Sequence, residues 1–137
     1  MEEANSPPFA SVGVVGDAGV VERFLECMVA HDWDGMAGCL TDDVERVGPF
    51  SDTYRGKPAY VAFISDLMPQ LGGYAMKVDR VVYAGTDAVA ELTETVDGSD
   101  TPEALVFDLD GDGCIARISI YIQRPEFADL VESEETV

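Results

Sequence analysis

One carboxyl stands on an apolar strand face. The run Ala88-Val-Ala-Glu-Leu-Thr-Glu-Thr-Val96 alternates with a period of two, and Glu91, Thr93 and Thr95 form its polar side. Glu94 falls on the other side, with Ala90, Leu92 and Val96. A carboxyl among apolar neighbours loses hydration, which disfavours its charged form. That environment suits a general acid or base working near neutral pH. A pocket rim open to water, an arginine partner, or a one-residue bulge turning the side chain outward would each leave Glu94 a structural residue.

Other reactive residue types support less. The single histidine, His31, ends a helical pattern, where a cation is favoured by the helix dipole, and no zinc site of the usual spacing can be built around it. Cys27, Cys39 and Cys114 are odd in number and widely spaced, so a disulfide framework is not expected, and Cys27 and Cys39 suit small buried apolar positions. No G-x-S-x-G elbow supplies a nucleophile. Asp108-Leu-Asp-Gly-Asp-Gly113 resembles the first half of a calcium loop, but the twelfth position is Ser119 rather than Glu, and a hairpin needs no metal to explain Asp-Gly. Neither a metal nor a cofactor is expected.

The 137 residues carry 27 acids against eight Lys+Arg, a formal charge of −19. Two Lys and six Arg scattered among so many acids make no basic face, which argues against nucleic acids and anionic membranes as partners. The hydrophobic share of 47% argues against disorder as the reason for the charge. No apolar run approaches the roughly 18 residues of a membrane-span candidate. Met1-Glu-Glu-Ala-Asn-Ser-Pro-Pro8 lacks a basic stretch before an apolar one, so a cytoplasmic location is expected.

The elements that must position Glu94 follow from periodicity. Residues 1–15 suggest a flexible arm, 16–125 the folded domain and 126–137 an acidic tail. Val21, Phe24, Leu25 and Met28 lie at helical spacing within 18–31, with Asp17 a plausible N-cap. Asp32 can cap a short second helix that turns Trp33, Met36, Ala37 and Leu40 to one side. A short strand at 44–47, a loop at 50–56 and a third helix carrying Tyr60, Phe63, Ile64 and Leu67 follow, with Pro58 in its first turn. Residues 75–84, 88–97, 103–109 and 114–123 then suggest four strands, with turns at 85–87, 97–102 and 110–113. Helices first and a meander later make an α+β chain with a mainly antiparallel sheet.

Three stretches carry a family resemblance. Val21-Glu-Arg-Phe-Leu-Glu-Cys-Met-Val-Ala-His-Asp-Trp-Asp-Gly-Met-Ala-Gly-Cys-Leu-Thr-Asp-Asp43 resembles the opening of SnoaL-like proteins and ketosteroid isomerases. Gly56-Lys-Pro-Ala-Tyr-Val-Ala-Phe63 is similar to their third-helix start, and Asp112-Gly113 with a long apolar strand ending at Pro125 to their finish. The resemblance implies the nuclear transport factor two-like fold: a cone of three N-terminal helices packed on a curved sheet around an apolar pocket, commonly as a homodimer. Tyr121, Arg117 and Gln123 would then lie on the outer face used for association.

The isomerase residues do not carry over. Those enzymes use an Asp base, with a Tyr and a protonated Asp holding the oxyanion. The matching positions here are Gly48, Phe24 and Leu105, none with the required group. Nor is the R-x-D strand motif of limonene epoxide hydrolase present, the comparable strand being Glu91-Leu-Thr-Glu-Thr95. The resemblance implies a pocket lined by Phe24, Met28, Phe63, Leu67, Leu92, Leu105, Phe107, Ile118, Ile120 and Ile122. It also turns Arg46 inward, where a guanidinium could anchor a carboxylate, polarise a carbonyl or neutralise Glu94. Trp33, Asp52 and Tyr54 would border the mouth, and Glu103 is a possible second inward acid. The expected function is binding a small hydrophobic molecule (polyketide, steroid-like or terpenoid). Glu94 and Arg46 would catalyse its isomerisation, cyclisation or dehydration; the alternative is a non-catalytic binding or dimerisation module.

Overall fold

The computed structural model describes residues 11–12 and 19–123. The elements run β1 (Ser11–Val12), α1 (Val20–Val29), α2 (Trp33–Ala37), β2 (Leu40–Val47), β3 (Thr53–Arg55), α3 (Lys57–Leu67), a 3-10 turn (Met68–Gln70), β4 (Ala75–Ala84), β5 (Asp87–Val96), β6 (Ser99–Leu109) and β7 (Ile115–Ile122). The seven strands form one sheet in the order β1-β4-β5-β6-β7-β2-β3. It is mainly antiparallel, with parallel pairing of β1 to β4 and of β2 to β7. The α+β class therefore holds. The helices, however, do not all precede the sheet, because α3 follows β2 and β3.

Local chemistry sets the element ends. The Asp32 side chain accepts the Gly35 N–H at 3.0 Å and starts α2. Asp17 lies outside the described residues, and the residue capping α1 is Gly19. His31 ends the α1 region at φ 59°, exposed and stacked on Trp33, with ring centroids 5.1 Å apart. Gly56 leads into α3 at φ 93°, a conformation glycine adopts without strain.

Three strand boundaries differ from the periodicity. β2 begins at Leu40, so that residue belongs to the sheet rather than to α2. Thr53–Arg55, expected as loop, pairs antiparallel with Glu45–Val47. The β5–β6 turn contracts to Asp97-Gly98, both at positive φ, and Pro102 becomes a strand residue opposite Thr93. Two such residues suit the twist of a tight hairpin. The turn at 110–113 is closed by Asp110, whose Oδ1 accepts N–H bonds from Asp112 and Cys114 at 2.9 and 2.8 Å.

The core lies between α1, α3 and one sheet face. Val21, Phe24, Leu25 and Met28 of α1 are buried. So are Tyr60 and Ile64 of α3, and Val78, Val81, Ala90, Leu92, Leu105, Phe107 and Ile118 of the sheet. A bulge at Asp79 lets Val78 face Leu92 and Val81 face Ala90. Two valines three residues apart thereby share the core side, which regular alternation would forbid.

Candidate functional site

Strand register builds the site. On the inner sheet face Met76 pairs with Glu94, Leu92 with Glu103, Leu105 with Ile120, and Arg46 with Ile118. Glu94 and Glu103 are thus diagonal neighbours on adjacent strands, close enough for long side chains to meet. Tyr74 stands two residues before Met76 and takes the matching diagonal position on the other flank of Glu94.

These side chains border a partly open cavity of about 100 Å³, walled by α1, α3 and the sheet. Its polar groups come from Arg46, Tyr60, Glu94 and Glu103. The apolar wall includes Leu25, Met28, Leu92, Leu105 and Ile120, and Leu67, Met68 and Leu71 close the end beyond α3.

Of the pocket residues expected from the sequence, Met28, Leu67, Leu92, Leu105 and Ile120 border this cavity. Phe24 and Phe107 do not; they pack edge to face with centroids 6.0 Å apart and belong to the solid core with Ile118. Phe63 stacks on Tyr54 at 4.1 Å, beneath the Arg46 guanidinium. Ile122 borders an open groove with Tyr121 and Gln123 instead. Parity identifies a face, but depth along that face depends on how the helices lie across it.

The two carboxyls are coupled. Burial, a hydrogen bond with Glu94 and the charge of Glu94 together push the Glu103 carboxyl up to about 9, against a smaller lowering by Arg46. Glu103 therefore keeps its proton near neutral pH. Tyr74 Oη donates to Glu94 Oε2 at 2.5 Å. Burial and the neighbouring Glu94 charge raise the Tyr74 phenol, so it remains a donor. Burial likewise raises the Tyr60 phenol on the opposite wall.

Arg46 is 8% exposed. Its ion partner is Asp52 rather than Glu94, with Nη1 to Oδ2 at 2.8 Å. Burial pushes the Asp52 carboxyl up, but Arg46 and backbone N–H groups outweigh it and hold it below its ordinary value. Arg46 also lies over the Phe63 ring at 5.1 Å. Its Nε is buried with no hydrogen-bond partner among the described residues. Gly48 makes the ion pair possible, because a Cβ at that position would lie 2.3 Å from Asp52 Oδ1.

Sequence reasoning did not single out Tyr74 or Tyr60. Extending the β4 parity back by two residues would have placed Tyr74 beside Glu94, but Gly72-Gly73 suggests that the strand starts later. Tyr60 is indistinguishable from any other apolar-face residue of a helix.

The sequence profile of the SnoaL-like domain matches residues 21–118. No curated protein matches the chain at a significant level. Among solved structures, a candidate SnoaL-like polyketide cyclase from Shewanella denitrificans aligns with TM-score 0.71 and 11% identity, covering 83% of this chain and 95% of that one. A candidate ketosteroid isomerase from Kribbella flavida aligns with TM-score 0.69 and 19% identity, covering 77% and 76%. An LEH-like epoxide hydrolase of M. tuberculosis aligns with TM-score 0.66 and 22% identity, covering 76% and 80%. At these identities the structures speak for the fold alone. The profile spans well over half of the chain, and the protein belongs to the SnoaL-like domain family.

Proposed function

We propose that the protein binds a small hydrophobic molecule in the cavity between α1, α3 and the sheet and moves a proton on it. The observation that carries this reading is a pair of neighbouring carboxyls, Glu94 and Glu103, in a mainly apolar cavity that Arg46 also borders. Glu94 serves as base and Glu103 as the proton-bearing acid, while Arg46 steadies negative charge developing on the ligand oxygen. Such a step underlies isomerisation, cyclisation and dehydration next to a carbonyl. The volume favours a compact ligand, since pockets for drug-sized molecules run to about 300–1,000 Å³. A steroid or polyketide frame requires Leu67, Met68 and Leu71 to withdraw.

Phe24, Gly48 and Leu105 at the isomerase positions favour a second reading, a binding module without turnover. Proton exchange separates the two. Wild-type protein is expected to accelerate deuterium uptake at the α-carbons of butan-2-one in D2O, followed by NMR. Glu94→Gln should bind the ketone equally and exchange it at least about a hundredfold more slowly. Equal exchange by both proteins removes the catalytic reading and leaves the binder. Tyr121, 62% exposed on the outer sheet face, supports association into a homodimer, which sedimentation would test.

A further inference from the structure

Each of the parallel partners β2 and β7 begins directly after a cysteine. Cys39 precedes Leu40, Cys114 precedes Ile115, and Leu40 and Ile115 are paired in the sheet. The Ile115 N–H donates to the Cys39 carbonyl at 2.8 Å, so the two cysteines stand side by side where the strands start. Neighbouring strands run about 4.8 Å apart, inside the range of about 4.4–6.8 Å between Cα atoms that a disulfide spans. Both backbones are anchored. The Cys39 N–H donates to the Met36 carbonyl at 3.0 Å. The Cys114 N–H donates to Asp110 Oδ1 at 2.8 Å, and its carbonyl accepts the Asp110 N–H at 2.8 Å.

The two strands are weakly joined at this end. After Leu40 and Ile115 the next paired residues are Glu45 and Arg117, and the register shifts between them. One rung therefore stands apart from the rest of the β2–β7 ladder, and a covalent tie beside it would hold it in place.

The three free thiols differ in their surroundings. Cys39 is buried and its Sγ donates to the Gly35 carbonyl at 3.5 Å, whereas Cys27 and Cys114 are half-buried. Burial, then Cys27 and Cys114, raise the Cys39 thiol against a lowering by Arg23, so both other thiols act on it. Cys27 lies against Gly35, where a Cβ would stand 2.8 Å from its Sγ, and donates to Asp32 Oδ2 at 3.8 Å. Burial and the Asp32 carboxylate raise the Cys27 thiol and keep it in the less nucleophilic form. Cys114 is then the thiol that meets an oxidant first, with Cys39 beside it.

We infer that Cys114 and Cys39 form a reversible disulfide under hydrogen peroxide, stapling β2 to β7 at their first rung. The Cys114 thiolate attacks the peroxide; an S–O bond forms, the O–O bond breaks and hydroxide leaves. Cys39 then gives up its proton and its sulfur attacks the Cys114 sulfenic acid. The S–S bond forms, the S–O bond breaks and water is released. Two thiols and one peroxide thus give one disulfide and two waters, and a dithiol reverses the bond. The closed loop of about 75 residues removes much entropy from the unfolded chain. The inference needs neither a ligand nor turnover.

The test treats full-length protein with hydrogen peroxide, alkylates it and digests it with trypsin. Wild type is expected to lose two hydrogens in mass and to join peptides 24–46 and 81–117, with the alkylated thiol located at Cys27 by fragmentation. The unfolding temperature should rise by at least about 5 °C and return with dithiothreitol. Cys27→Ser should form the same link. Cys39→Ser should form none and carry oxygen on Cys114. A bond confined to peptide 24–46, which would join Cys27 to Cys39, overturns the inference. So do oxygen on Cys114 of wild type without a link, thiols that stay unreacted, and a link that leaves the unfolding temperature unchanged. The wild-type map decides the pairing whether or not the variants fold.

Discussion

Tyr74 Oη donates to Glu94 Oε2 across 2.5 Å, joining the residue that precedes β4 to the C-terminal end of β5. The bond fixes the Glu94 carboxyl from the flank opposite Glu103. Tyr74→Phe removes the donor and keeps the ring. Stability should fall by about 1–2 kcal/mol in urea unfolding, as for loss of a half-buried bond to a charged group. Unchanged stability would remove the Tyr74–Glu94 bond from the site.

Glu103 makes stability depend on pH in an unusual direction. Its carboxyl keeps the proton up to about 9 when folded, but releases it near its ordinary value when unfolded. Between those limits the folded state binds more protons, so stability falls as pH rises. Its contribution is fully present below about pH 4 and lost by about pH 9, with a slope of up to about 1.4 kcal/mol per pH unit. Glu103→Gln removes this slope, so the variant gains on wild type steadily from pH 5 to 9 in urea unfolding. Parallel stability curves would contradict the raised Glu103 carboxyl.

Asp52 acts with the opposite sign. Its carboxyl is held below the ordinary value, so its contribution is present above about pH 4 and lost as pH falls through the depressed value. Asp52→Ala leaves the Arg46 guanidinium buried without its ion partner. Breaking a fully buried pair this way costs about 3–5 kcal/mol; with the Asp52 side chain 41% exposed, about 2 kcal/mol is expected at pH 7. Thermal unfolding at pH 7 and pH 3 should show the deficit shrinking in acid.

Gly48→Ala should act through the same ion pair. The added Cβ would occupy the space of Asp52 Oδ1 and displace the carboxyl from Arg46. A double-mutant cycle with Asp52→Ala is expected to be strongly sub-additive, because the second change removes the group the first displaces. Full additivity would show that Gly48 serves the backbone alone.

Glu94 was legible because a period-two strand exposes any acid on its apolar side, and register then determines what stands beside it. The Arg46–Asp52 pair was not legible. It depends on β3, a strand of three residues too short to show a period, and on the turn that brings Asp52 back over Gly48. Phe107 was expected at the pocket because it shares the inner strand face with Leu105, and Phe24 because it stands at the isomerase tyrosine position of the first helix. Their edge-to-face contact fills that part of the interior, and nothing in a linear pattern distinguishes a filled region from an open one.

The parallel pairing of β2 with β7 places Arg46 opposite Ile118. Glu94 and Glu103 meet through a neighbouring hairpin, a contact local in sequence, whereas Arg46 reaches the same void only when distant parts of the chain are joined. Loop-closure entropy therefore falls on the strand contact that introduces the positive charge. Completion of the cavity is a property of the whole chain's topology, so its chemistry reports complete folding as no single hairpin can.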